Sequence, residues 1–222
     1  MTARCIRLWT VFLIGLSIAT TSAAEPTVED VEFVAQLDQS SQRYVLLTPP
    51  GIDTTAPVDA LIALHGHGSD RWQFVRDSRD ECRAARDAAI RRQMLFVSPD
   101  YRARTSWMGP AAEADMIQLI QLLKDKHHVR HVYLCGGLMG GTGALTFAVL
   151  HPDLIAGVAS MNGTANLVEY RNFQEAIRAS FGGDQQAVPD EYRKRSAELF
   201  VEKLTMPIGL TTGGQDTAVP PA

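Results

Sequence analysis

The pattern of apolar and polar positions changes period along the chain. VEFVAQL (31–37) and RYVLLTPPG (43–51) flank the polar turn DQSSQ (38–42), which predicts an antiparallel hairpin. VDALIALHGHG (58–68) is a near-continuous apolar strand running into glycines, the signature of a strand covered on both faces. Residues 72–93 read as an Arg/Asp-rich helix with Cys82, Ala85 and Ala89 inward, and MLFVSPD (94–100) as another buried strand. Met116, Leu119, Ile120 and Leu123 keep helical spacing in a helix that Gly109-Pro110, Glu113 and Asp115 open. Then follow a strand HVYLC (131–135), a small-residue helix GTGALTFAVLH (141–151), a strand LIAGVASMN (154–162), a polar, largely helical excursion (165–204) and a last strand PIGLTTGGQD (207–216).

A hairpin followed by alternating strands and helices predicts an α/β domain with a mostly parallel sheet and right-handed crossovers. Sites in such sheets lie beyond the carboxyl ends of the strands. Three predicted strands end in unusual chemistry there: HGHGSD, CGGLMGG and TTGGQDTAVPP. The glycine-rich turn after HVYLC has two other readings. A phosphate could sit at the helix N-terminus, but CGGLMGG has no Gly-Lys-Ser/Thr ending and lacks the G-x-G-x-x-G spacing.

Taken together, these strand ends resemble those of the α/β-hydrolases, more narrowly the secreted esterases and prolyl-oligopeptidase-like hydrolases. The resemblance covers roughly residues 31–222. It implies a serine nucleophile in G-x-S-x-G between strand and helix, a register that falls on Gly136-Gly137-Leu138-Met139-Gly140. It implies an oxyanion hole from the backbone N–H groups of His67 and Met139, the acid of the triad at Asp216, and a histidine later in the chain. The fold expected is therefore an α/β-hydrolase domain over 25–222, without its last strand and helix. Leu138 at the nucleophile position carries no attacking group, and none of the six histidines follows Asp216. The catalytic histidine is thus unassigned, and the chain is expected to be inactive as written: a fragment of an active hydrolase, or a non-catalytic relative that keeps the cleft for binding.

Each feature also has a plainer reading. HGHG can be a tight turn with surface histidines, and Asp216 a turn aspartate. Trp107, in TSWMGP, can line the substrate pocket or pack a surface loop. The excursion at 165–204 can be a lid or a pair of amphipathic helices on the sheet edge. Cys135 lies inside its strand and Thr142 in the helix, and Ser106 and Ser160 have no candidate base nearby in sequence, so no replacement nucleophile is expected.

Residues 1–24 read as a signal peptide: Arg4 and Arg7, the apolar run LWTVFLIGLSIA (8–19) and the small-residue site SAA (22–24). Secretion or periplasmic export is expected, with no integral membrane segment after cleavage. A net charge of −4 gives no reason to expect nucleic acid, so the expected partner is an unidentified small-molecule or peptide ligand. Cys82 and Cys135 are expected as separate buried thiols, and the residue pattern implies no metal or other cofactor.

Overall fold

The computed structural model describes residues 24–53 and 55–220. The expected leader over 1–24 therefore lies outside the described residues, Ala24 excepted. Strands β1 (Thr27–Val34), β2 (Ser41–Thr48), β3 (Val58–Leu64), β4 (Leu95–Pro99), β5 (Val129–Gly137), β6 (Gly157–Met161) and β7 (Ile208–Thr211) form one sheet in the order β1-β2-β4-β3-β5-β6-β7. The β1/β2 hairpin and the β2/β4 pair are antiparallel, and every other pairing is parallel.

Alternation along the strands sorts side chains to two faces. Ala60, Ile62 and Leu64 of β3 face one core with Val132 and Leu134 of β5. That core is covered by α3 (Pro110–His127) and α4 (Met139–Leu150). Ala63, Phe96 and Cys135 face the other, under Phe74 of α1 (Gln73–Arg76) and Cys82 and Ala89 of α2 (Asp80–Arg91). α4 is buried from Met139 through Val149, as its apolar, small-residue sequence requires.

Two elements differ from the sequence expectation. The helix expected over 72–93 is broken, because Asp77 adopts an extended conformation (φ −67°, ψ 135°) and its carboxylate accepts the Arg79 N–H at 2.9 Å. That side chain offers the backbone an alternative to the helix. The last strand spans only Ile208–Thr211, and 212–216 form a turn closed by the Asp216 N–H on Gly213 O at 3.0 Å. Met116, Leu119, Ile120 and Leu123 are all buried on α3, as their spacing predicts.

The excursion contains α5 (Gln174–Phe181), α6 (Pro189–Lys194) and a 3₁₀ segment, Ala197–Lys203. It is pinned to the core by Arg195, whose side chain is fully buried. The Arg195 guanidinium pairs with Glu113 and Glu191 and donates to Met108 O at 2.8 Å. Its own carbonyl accepts the Thr146 hydroxyl at 2.9 Å. β7 has no outer neighbour among the described residues, and Leu210 is 65% exposed. Beside it, a groove of about 690 Å³ runs over Tyr133, Ala159 and Gly209 along the small-residue side of α2.

Candidate active site

Strand register brings the three chemical strand ends level. Leu64 pairs with Gly136, Gly137 with Met161, and Met161 with Thr211. The chain leaves β5 through Leu138 at φ 54°, ψ −113° and enters α4 at Met139. That backbone is close to the (+60°, −120°) corner of a type II′ turn, where a non-glycine residue is strained. The Leu138 N–H donates to Met161 O at 2.9 Å, and its carbonyl accepts the Thr142 N–H at 3.0 Å.

The glycines explain how so sharp a turn packs. A Cβ on Gly140 would lie 2.0 Å from Leu64 O, and one on Gly136 would lie 2.4 Å from Gly140 O. Side chains at either position would push α4 off the sheet. The β3 turn abuts the elbow as well, since a Cβ on Gly66 would lie 3.5 Å from Gly137 O. His67 and Met139 therefore follow two backbone stretches in mutual contact. The Met139 N–H, first in α4, has no acceptor within its helix.

His65 is buried in this turn. Its ring nitrogens lie 2.9 Å from Gly66 O and 3.2 Å from Asp100 O, and burial lowers its proton affinity. Tyr101 donates to His65 O at 2.6 Å and stacks on its ring at 4.6 Å. His67 is half-buried. Its ring stacks on Phe173 at 4.5 Å, and Trp107 Nε1–H donates to His67 Nδ1 at 3.1 Å. Trp107 is 0% exposed and packs also on Tyr170 and Phe173. It meets the rim through His67 rather than as an open pocket wall. Both Trp107 (φ 45°) and Phe173 (φ 53°) hold left-handed backbone.

Asp216 sits on the loop after β7, the position that the family resemblance implies for an acid. Its carboxylate accepts the N–H groups of Ala218 and Val219 at 2.8 and 2.9 Å. Tyr170 and Asn172 tie that loop to the excursion by hydrogen bonds to Ala218 O at 2.7 and 2.9 Å. Among the described residues no histidine hydrogen-bonds to Asp216. His151 is engaged with Glu113 at 2.8 Å and His131 with Asp59 at 3.1 Å. Burial pushes the Cys82 and Cys135 thiols up to about 11 and about 12, and both are free. Neither is a thiolate near neutral pH. Among the described residues no three His, Cys, Asp or Glu side chains cluster to hold a metal, and no helix is long and apolar enough to cross a membrane.

The aromatic group of His67, Trp107, Tyr170 and Phe173 was not legible as a unit, because its members come from three separate loops. Only the lone Trp107 in TSWMGP and the aromatics of the excursion pointed toward it.

Residues 61–219 match the family model described as alpha/beta hydrolase fold. The chain belongs to the α/β-hydrolase family. Solved structures with this fold include FphF, a fluorophosphonate-binding serine hydrolase of Staphylococcus aureus (15% identity, TM-score 0.63, covering 89% of this chain and 77% of that one). Another is the S-formylglutathione hydrolase of the same organism (14% identity, TM-score 0.66, covering 87% and 82%). An acylaminoacyl peptidase aligns at 14% identity and TM-score 0.65 over 89% of this chain but only 33% of its own. The chain thus spans about a third of that larger peptidase. No curated protein matches it by sequence.

Proposed function

We propose that this chain keeps the carbonyl-binding half of a hydrolase site and lacks the covalent half. Leu138 carries the proposal: an aliphatic side chain stands at the turn from which the family presents its serine, so no acyl-enzyme forms there. Two backbone N–H groups, of His67 and Met139, remain beside it as donors for a carbonyl or carboxylate oxygen. Asp216, with backbone N–H partners and no histidine, is a loop-closing residue. The ligand class is an ester, a peptide-like carbonyl or the corresponding acid, met outside the cytoplasm if the leader is cleaved. Against nucleic acid stands the acidic balance of the chain.

A fluorophosphonate probe tests the covalent half, with the Staphylococcus aureus FphF as labelled control. No labelling of this chain is expected, and covalent labelling would refute the proposal. Leu138→Ser alone restores the hydroxyl without a base, so esterase turnover should stay at background. Substantial turnover from that variant would show that a histidine does reach the site.

A further inference from the structure

We propose that His67, Trp107 and Phe173 form a latch over the candidate carbonyl site, and that protonation of His67 releases it. This rests on reading the His67 and Met139 N–H groups as ligand donors.

The geometry fixes the protonation state. An indole N–H can only donate. Trp107 Nε1 lies 3.1 Å from His67 Nδ1, so Nδ1 must be the acceptor and the ring is neutral. An imidazolium donates from both nitrogens. On protonation, two N–H groups would face each other across that distance, and a buried donor on Trp107 would lose its partner. The contact spans three loops. His67 belongs to the turn after β3, Trp107 to the loop after β4 and Phe173 to the segment after β6. Trp107 also touches Tyr170, which is hydrogen-bonded to the Asp216 loop through Ala218 O. One proton therefore acts on a junction shared by the turn after β3, the loop after β4 and the segment after β6, the last tied to the Asp216 loop. Left-handed backbone at Trp107 and Phe173 is retained only while surrounding contacts hold it.

Charges on those loops are engaged elsewhere. On the His67 turn, Asp70 accepts the Trp72 N–H, and His65 bonds Gly66 O and Asp100 O. On the Trp107 loop, Asp100 pairs with Arg71, Arg102 with Asp38 and Asp115, and Arg104 donates to Ser69 O. On the Phe173 segment, Arg171 donates to Val168 O and Glu169 is exposed; beyond it, Asp216 holds its own loop. Burial lowers the proton affinity of His67, and the indole donor, which binds only the neutral ring, acts in the same direction, so release falls below the ordinary imidazole range.

The test uses the chain with Trp9 and Trp72 replaced by Phe, leaving Trp107 as its sole tryptophan, excited selectively over the tyrosines. Acrylamide quenching should rise several-fold between pH 7.5 and pH 5 and reverse on neutralisation. His67→Asn offers an amide oxygen that does not titrate in this range, so its quenching should stay flat. An equal rise in His67→Asn overturns the latch. As a second measurement, the His67 Cε1–H resonance is titrated in Trp107→Phe. Loss of the donor to the neutral ring should raise the midpoint, and an unchanged midpoint also overturns it. Butyrate binding by calorimetry tests the site separately. Tighter binding at pH 5, abolished in His67→Asn, supports both ideas. A quenching switch without butyrate binding at either pH supports the latch and removes the carbonyl-site reading.

Discussion

Leu138 provides a direct test of elbow strain. Three variants, Leu138→Gly, Leu138→Ala and Leu138→Ser, all remove the aliphatic side chain beyond Cβ. What differs among them is backbone tolerance at φ 54°, ψ −113° and the quality of the N-cap of α4. A non-glycine residue in such a conformation costs on the order of 1–3 kcal/mol. Glycine costs about 0.5–1 kcal/mol in unfolded-chain entropy relative to alanine. The difference leaves Gly ahead of Ala by roughly 0.5–2 kcal/mol. N-cap preference alone also puts Gly above Ala, but it puts Ser at least level with Gly. Strain reverses that last order, because serine carries the same Cβ as alanine. The expected ranking is therefore Gly most stable, then Ser, then Ala. Urea unfolding midpoints at constant slope give the comparison. The Gly–Ala gap corresponds to a few degrees in thermal midpoint for a domain of this size. Serine above glycine would show that capping governs this position and that the positive φ is not held in solution.

The buried ionic groups make two further predictions. Arg195→Ala removes the buried guanidinium from Glu113, which keeps His151, and from Glu191, which keeps Lys194, and it leaves Met108 O without its donor. On the order of 2–3 kcal/mol of stability should be lost with the charged hydrogen bonds, and limited proteolysis should begin within 165–204 rather than in the sheet. Asp115 is the second case: its carboxyl is pushed up to about 6, chiefly by burial, against the opposing pull of Arg102. Between about pH 4 and pH 6 the folded state then holds a proton that the unfolded chain has released. This group's contribution to stability therefore rises as pH falls through that window, on the order of 3 kcal/mol in all. In Asp115→Asn that rise should vanish from the pH profile of the unfolding midpoint. An unchanged profile would place the titration on another residue.

The period of the hydrophobic pattern was enough to order the elements, because each strand and helix must cover a face that its neighbours leave apolar. VDALIAL and MLFVSP read as buried strands, and both lie in the middle of the sheet. Strand ends were legible at the elbow because glycine there has a steric reason that shows in the sequence: Gly136 and Gly140 touch backbone that admits no Cβ. Where a local hydrogen bond competes with the regular element, the period misled. Asp77 interrupts a run of helix formers, and the turn at 213–216 shortens the last strand. Arg195 was hidden for another reason. It stands among charged residues in EYRKRS, and nothing in that run marks one arginine as interior. Its partners, Glu113 and Met108, lie more than eighty residues earlier.

The elbow and its chemistry are separable in this chain. Leu138 is held at positive φ by its neighbours: its N–H is bound to Met161 O, Gly140 rests on Leu64 O, and a Cβ on Gly141 would lie 2.9 Å from Met161 O. Those contacts fix how α4 meets β3 and β6, and none involves an atom of the side chain at 138. Relaxing the turn would require lifting α4, whose burial from Met139 to Val149 anchors one face of the sheet. The strain is thus a consequence of helix–sheet packing, small beside the apolar area that packing removes from water. A side chain without a hydroxyl at 138 is compatible with the same packing. Elbow geometry therefore identifies the fold, and an attacking atom with a base beside it identifies the reaction. Leu138 supplies no attacking atom, and Asp216 holds no described histidine. What the packing does preserve is the backbone: the Met139 N–H at the start of α4, next to the turn that carries His67. On the proposed reading, those backbone groups can bind an acyl oxygen without covalent chemistry.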